Sequence, residues 1–270
     1  MKRLLNGKSI TVNDFQRMKQ GGIPITALTA YDSMLAQLLD KAGIDLILVG
    51  DSLANVFQGR DTTIPVTLDD MIYHGEIVAR TVKHAFVVVD MPFMSFQVSP
   101  EDALRNAGAI MKETGCNAVK LEGGTPVKET IRTIVQAGIP VMGHLGLTPQ
   151  SINVFGGYGV RGKDDAEAVI ENALDVQEAG AFAVVLEKIP KDLAGEISRK
   201  LTIPTIGIGA GPDCDGQILV TTDILGFNTG FNPKFVRKYA DLAEQALAGV
   251  KGYADDVRER RFPSLDESYE

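Results

Sequence analysis

A chain of 270 residues, 44% apolar and 23% charged, is long enough to bury a substantial core as one large domain or two small ones. Lys and Arg number 27 against 35 Asp and Glu, a net charge of −8 with no basic stripe, which argues against a nucleic-acid partner. Cys116 and Cys214 show no CxxC or Cys/His spacing, so neither a disulfide framework nor a zinc site is indicated, and no apolar run approaches the roughly 20 residues of a membrane helix.

Met1 to Gln20 is polar rather than signal-like, which predicts a cytoplasmic protein, and Thr11–Gln20 is expected to form a helix capping the structure that follows. The first apolar run, Ile25–Ala30, precedes Met34, Leu35, Leu38, Leu39 and Ala42 at helical spacing, with Gly43 where a helix would stop. The same strand-then-helix unit recurs as Asp45–Gly50 with Leu68–Val82, Phe86–Asp90 with Pro100–Thr114, and Asn117–Glu122 with Pro126–Ala137. Pro140–Leu145 is followed by Asp164–Ala179 after a long Gly-rich stretch, and Phe182–Glu187 by Lys191–Lys200. Pro204–Gly209 is the seventh run. A reduced helix near Asp215–Val220 and a weaker run, Thr222–Gly226, complete the eighth unit, and Pro233–Ala248 supplies the last helix.

Most of these runs are rich in Val, Ile and Leu without polar alternation, as strands of a parallel sheet buried on both faces are. Eight alternations predict one (β/α)8 TIM barrel over residues 1–270, with an N-terminal capping helix and a polar tail over 251–270.

Five consecutive strands end in polar groups: Asp51 with Ser52, Asp90, Lys120 with Glu122, His144, and Glu187. In a barrel these ends open on the face where the active site lies. Lys120 and Glu122 are two apart, so they share a side of their strand. They read either as an internal ion pair or as site residues, and burying such charges is costly without a use. Asp51 and Asp90 could each cap a following segment, or together offer the oxygen ligands a hard cation prefers. His144 is the one histidine at a strand end, whereas His74 and His84 read as structural. Glu187 is expected to have apolar walls that raise its pKa toward that of a usable base, or else a salt bridge to Lys188 or Lys191. Gly207–Gly211 could cradle an anion or form a tight turn, and the Gly-rich stretch Gly156–Gly162 is a candidate lid.

Four motifs are more specific: Val49-Gly-Asp-Ser-Leu53, Leu121-Glu-Gly-Gly124, Gly143-His-Leu-Gly-Leu-Thr-Pro-Gln150 running on to Asn153-Val-Phe-Gly-Gly-Tyr158, and Gly207-Ile-Gly-Ala-Gly-Pro-Asp-Cys-Asp-Gly-Gln217. In order and spacing they resemble the ketopantoate hydroxymethyltransferase family over nearly the whole chain. The resemblance implies a barrel of the phosphoenolpyruvate/pyruvate superfamily and transfer of a hydroxymethyl group from 5,10-methylenetetrahydrofolate to 3-methyl-2-oxobutanoate through an enolate. It also implies Mg2+ held by Asp51 and Asp90 with Glu122 beside it, a 2-keto acid held by Ser52, Lys120, His144, Asp51 and Asp90, and Glu187 as the general base. A homo-oligomer, commonly a decamer, goes with the family. Ala54-Asn55 and Thr222 depart from the family's usual Gly and His. Two rival readings are a Mg-dependent keto-acid or phosphonate lyase or hydrolase of the same superfamily, and a non-catalytic carboxylate-binding barrel. The second predicts losses among Asp51, Asp90, Lys120 and Glu187, and all four are present.

Overall fold

The computed structural model describes residues 8–228, 230 and 233–270, in two units, one ending at Leu219 and one spanning Val220–Glu270. The first unit contains β1 (Ile25–Thr29), β2 (Leu46–Val49), β3 (Phe86–Asp90), β4 (Ala118–Glu122), β5 (Val141–Gly146), β6 (Ala183–Glu187), β7 (Thr205–Ile208) and β8 (Gly216–Leu219). These strands form a closed parallel barrel in chain order, with β8 pairing back onto β1. The expected (β/α)8 barrel is therefore the fold.

Ahead of β1 lies α1 (Val12–Gln20), started by a capping box between Thr11 and Asp14. Its buried Phe15 packs edge-on to Phe86 at 5.2 Å and against Phe182 at 5.8 Å, at the N-terminal ends of β3 and β6. The helix thus caps the lower mouth, as expected. Between strands run α2 (Ser33–Ala42), α3 (Leu53–Val56), α4 (Leu68–Thr81), α5 (Pro100–Thr114), α6 (Lys128–Gln136), α7 (Ile152–Phe155), α8 (Ala166–Glu178) and α9 (Lys191–Lys200). Asp32, Thr67 and Ser99 cap α2, α4 and α5 through their side chains, and left-handed Gly43 ends α2.

The period of two along each strand sorts side chains into two cores. Leu46, Leu48, Phe86, Val88, Ala118, Met142, Ala183 and Val185 fill the barrel interior. Ile47, Val49, Val87, Val89, Val119, Leu121, Val184 and Leu186 pack outward under the helices with Ala107, Ile131 and Val176. Asp90, Lys120, Glu122, His144 and Glu187 have the parity of the interior set, so they form a polar layer on top of its apolar ones. No helix among the described residues is long and apolar enough to cross a membrane.

Two expectations are corrected. The eighth strand is Gly216–Leu219, within the stretch expected to be a short helix, while Thr222–Gly226 is no strand: Thr221–Ile224 forms α10 in the second unit. Barrel closure decides this. A Cβ at Gly216 would lie 2.5 Å from the Ile25 carbonyl oxygen, so only glycine lets the chain come this close to β1, while Ile218 enters the interior. In the second unit α11 spans Leu242–Arg258 rather than Pro233–Ala248, and so runs into the segment expected to be a tail. The Tyr239 and Leu242 N–H groups bond the carbonyls of Ile224 and Leu225, which diverts that backbone from helical pairing until α11 begins.

Candidate active site

Strand register brings the polar layer together. Asp90 stands beside Lys120, Glu122 beside His144, and Gly146 beside Glu187. Lys120 Nζ lies 2.9 Å from Asp90 Oδ1 and 3.3 Å from His144 Nδ1. The imidazole then bridges two carboxylates, with Nδ1 3.4 Å from Glu122 Oε1 and Nε2 3.2 Å from Glu187 Oε2. Asp51 joins this row from β2, its backbone N–H donating to Asp90 Oδ2 at 3.0 Å. Asp51, Asp90, Lys120, Glu122 and His144 are all buried, whereas the Glu187 side chain is 16% exposed and is the most open of them.

Electrostatics in this dry cluster are strong. Burial, reinforced by Asp90 and Glu122, pushes the Asp51 carboxyl up to about 8. Burial also raises Asp90, against the opposing pull of Lys120. Lys120 is disfavoured as a cation by burial, but Asp90, Glu122 and Asp51 outweigh that and hold it charged. For His144, burial and Lys120 oppose protonation, yet Glu122 and Glu187 together push it up to about 9. The site can therefore store protons and bind an anionic ligand against a fixed ammonium.

Ser52 lies in the first turn after β2, its Oγ 2.8 Å from Tyr31 Oη. A Cβ on Gly50 would fall 2.7 Å from that Oγ, so glycine is required for this approach. Burial holds the Tyr31 hydroxyl far above its ordinary range, so it stays protonated. Sequence reasoning did not single out Tyr31, nor Gln150 beyond its place in a motif. Gln150, buried in the turn after β5, donates through its side-chain amide to Asp51 Oδ2 at 2.8 Å and through its backbone N–H to Glu122 Oε2 at 3.0 Å.

The other two histidines sit apart from this row. His74 Nδ1 meets the Tyr31 carbonyl at 2.7 Å, and His84 Nδ1 meets Asp40 at 3.1 Å. Glu187 has His144 as its partner, while the Lys188 ammonium reaches the Tyr158 carbonyl instead. The Arg161 N–H donates to the Lys188 carbonyl at 2.9 Å, so the Gly-rich stretch is tied down beside Glu187. Gly207–Gly211 makes a tight turn closed by Gln217 Nε2 on the Gly211 carbonyl at 2.9 Å.

Solved structures similar to this fold include phosphonopyruvate hydrolase in complex with oxalate and Mg++, with a TM-score of 0.61 at 14% identity over 96% of this chain and 93% of that one. Another is 2,3-dimethylmalate lyase, a member of the PEP mutase/isocitrate lyase superfamily, with a TM-score of 0.59 at 18% identity over 97% and 92% of the two chains. Likeness at this level speaks for the barrel alone. Sequence relatives are nearer. The 3-methyl-2-oxobutanoate hydroxymethyltransferase of Chlorobaculum parvum is 58% identical over 96% of both chains. That of Salinibacter ruber is 55% identical over 96% of this chain and 99% of its own. The sequence model of ketopantoate hydroxymethyltransferase matches residues 9–265. Identity of this order along the whole barrel means that this chain belongs to the ketopantoate hydroxymethyltransferase family.

Proposed function

We propose that the protein transfers a hydroxymethyl group from 5,10-methylenetetrahydrofolate to 3-methyl-2-oxobutanoate, giving ketopantoate, as a cytoplasmic homo-oligomer. Family membership supports the reaction and the oligomer. The observation that carries the assignment of roles is the inward-facing row from Asp90 on β3 through Lys120 and Glu122 on β4 and His144 on β5 to Glu187 on β6, four adjacent strands.

The residues fit Mg2+. Asp90 Oδ1 and Glu122 Oε1 are buried oxygens that meet only Lys120 and His144, and four carboxyl groups, Asp51, Asp90, Glu122 and Glu187, converge on these two basic side chains. Among the described residues no three His, Cys, Asp or Glu side chains form a ready-made cage. Mg2+ needs none, since one or two carboxylates plus substrate oxygens and water suffice. Held by Asp51 and Asp90 with Glu122 beside it, the cation would polarise the substrate's keto oxygen and so acidify the neighbouring C–H.

The chain's own groups then act in order. Ser52 and Lys120 hold the keto acid, and the buried ammonium offsets the charge that develops on its oxygen. Glu187, kept in place by His144, takes the proton from the carbon next to the keto group. The electron pair left on that carbon forms the new C–C bond to the folate's methylene carbon, whose two C–N bonds break. Water supplies the hydroxyl oxygen, and one proton from water and the one taken from the substrate carbon go to the two folate nitrogens, so that tetrahydrofolate leaves. Mixing the protein with Mg2+, 3-methyl-2-oxobutanoate and 5,10-methylenetetrahydrofolate should yield ketopantoate, and EDTA should abolish it. Well-folded protein that makes no product overturns the reading; full activity in EDTA overturns its metal part.

A further inference from the structure

We propose that Gln150 is a positioning residue that aims Asp51 and Glu122 at one ligand, a divalent cation. The inference rests on the metal reading above and extends it to a residue that touches neither cation nor substrate in that scheme.

Gln150 sits in the 3-10 turn Pro149–Ser151 after β5 and is 6% exposed. Its amide nitrogen donates to Asp51 Oδ2 at 2.8 Å and to the Met91 carbonyl at 3.0 Å. The Met91 carbonyl can only accept, so the end of the amide that meets it must be the NH2 group. Its Oε1 accepts from Gln97 Nε2 at 3.3 Å, which holds the amide in that sense. The backbone N–H of the same residue donates to Glu122 Oε2 at 3.0 Å. One residue thus ties up one oxygen each of Asp51, just after β2, and Glu122, at the end of β4. Glu122 is left with Oε1, whose neighbour is His144 Nδ1 at 3.4 Å. A carboxylate with one oxygen anchored loses the rotation that would let it turn from its ligand, so the ordering cost is met before the ligand arrives.

Gln150→Met keeps the length and the backbone N–H but removes both amide donations. Binding of Mn2+, followed by calorimetry without substrate, should weaken about 10- to 100-fold, the usual effect of losing a hydrogen bond to a charged group. Gln97→Ala, at an exposed position, should weaken it in the same direction by a smaller factor, which guards against a Met variant that folds poorly. For ketopantoate formation, kcat should fall more than the affinity for the keto acid. Unchanged Mn2+ affinity in both variants, beside a wild type that binds Mn2+, overturns the positioning role alone. A wild type that binds no Mn2+ overturns the metal reading and this inference with it. A lower melting temperature with wild-type Mn2+ affinity returns Gln150 to a packing role.

Discussion

Glu187 is the proposed base, and its neighbours support that role. Its carboxylate is the most open of the row and meets His144 Nε2 through one oxygen, Oε2, at 3.2 Å, which leaves lone pairs to offer a substrate C–H. Glu187→Gln keeps the shape but cannot accept a proton. Exchange of the substrate's β-carbon hydrogen with solvent deuterium, in Mg2+ and without folate, should fall together with product formation, by on the order of 10²–10⁴-fold. Binding of the keto acid should change little. Exchange retained at the wild-type rate would move the base elsewhere, with Glu122 next in line. Asp40 is a contrasting residue far from any chemistry. It accepts the backbone N–H groups of Lys83, His84 and Ala85 at 2.8–3.1 Å, and His84 Nδ1. Burial opposes its charge, but these donors outweigh burial and hold its carboxyl below the usual range. A depressed folded pKa contributes stability that is present above the unfolded value and lost as pH falls through the folded one. Asp40→Ala should therefore cost roughly 3 kcal/mol near neutrality, with a smaller difference from wild type in acid, as urea titrations at pH 7 and pH 3 would measure. An equal difference at both pH values would contradict this account.

At the level of elements, the site depends on where β5 and β6 end relative to each other. Gly146 has φ of 90° and lies beside Glu187, and a Cβ there would be 2.2 Å from the Glu187 carbonyl oxygen. Gly146→Ala must push the end of β6 away while also taking up a left-handed backbone, which costs about 1–2 kcal/mol before any clash. The expected result is a lower melting temperature and slower deuterium exchange, with Glu187 itself intact. Wild-type exchange in this variant would show that the β5–β6 register does not set the position of the base. The same logic explains why the sequence misplaces the eighth strand. Local hydropathy cannot register that Gly216 must approach β1 within reach of the Ile25 carbonyl, and that condition, not apolarity, selects Gly216–Leu219.

For the whole molecule, the oligomer proposal carries a direct check. Light scattering of dilute protein should give a mass well above 29.0 kDa, the mass of one chain, and the monomer mass would contradict it. The amino-acid sequence alone determined the barrel and the face on which its chemistry lies. Seven of its strands are apolar runs alternating with helical stretches, and the charged residues at the ends of several of them can be read to one side because side-chain parity along a strand is a local property. Membership in the family was equally legible, in motifs such as Gly143–Gln150. Only the tertiary structure decided which charges meet. Asp51 and Gln150 are 99 residues apart, and Glu187 finds His144 rather than its neighbours Lys188 and Lys191. Such pairings follow from the stagger between strands, which closure of the ring imposes on all eight together and which no single segment encodes.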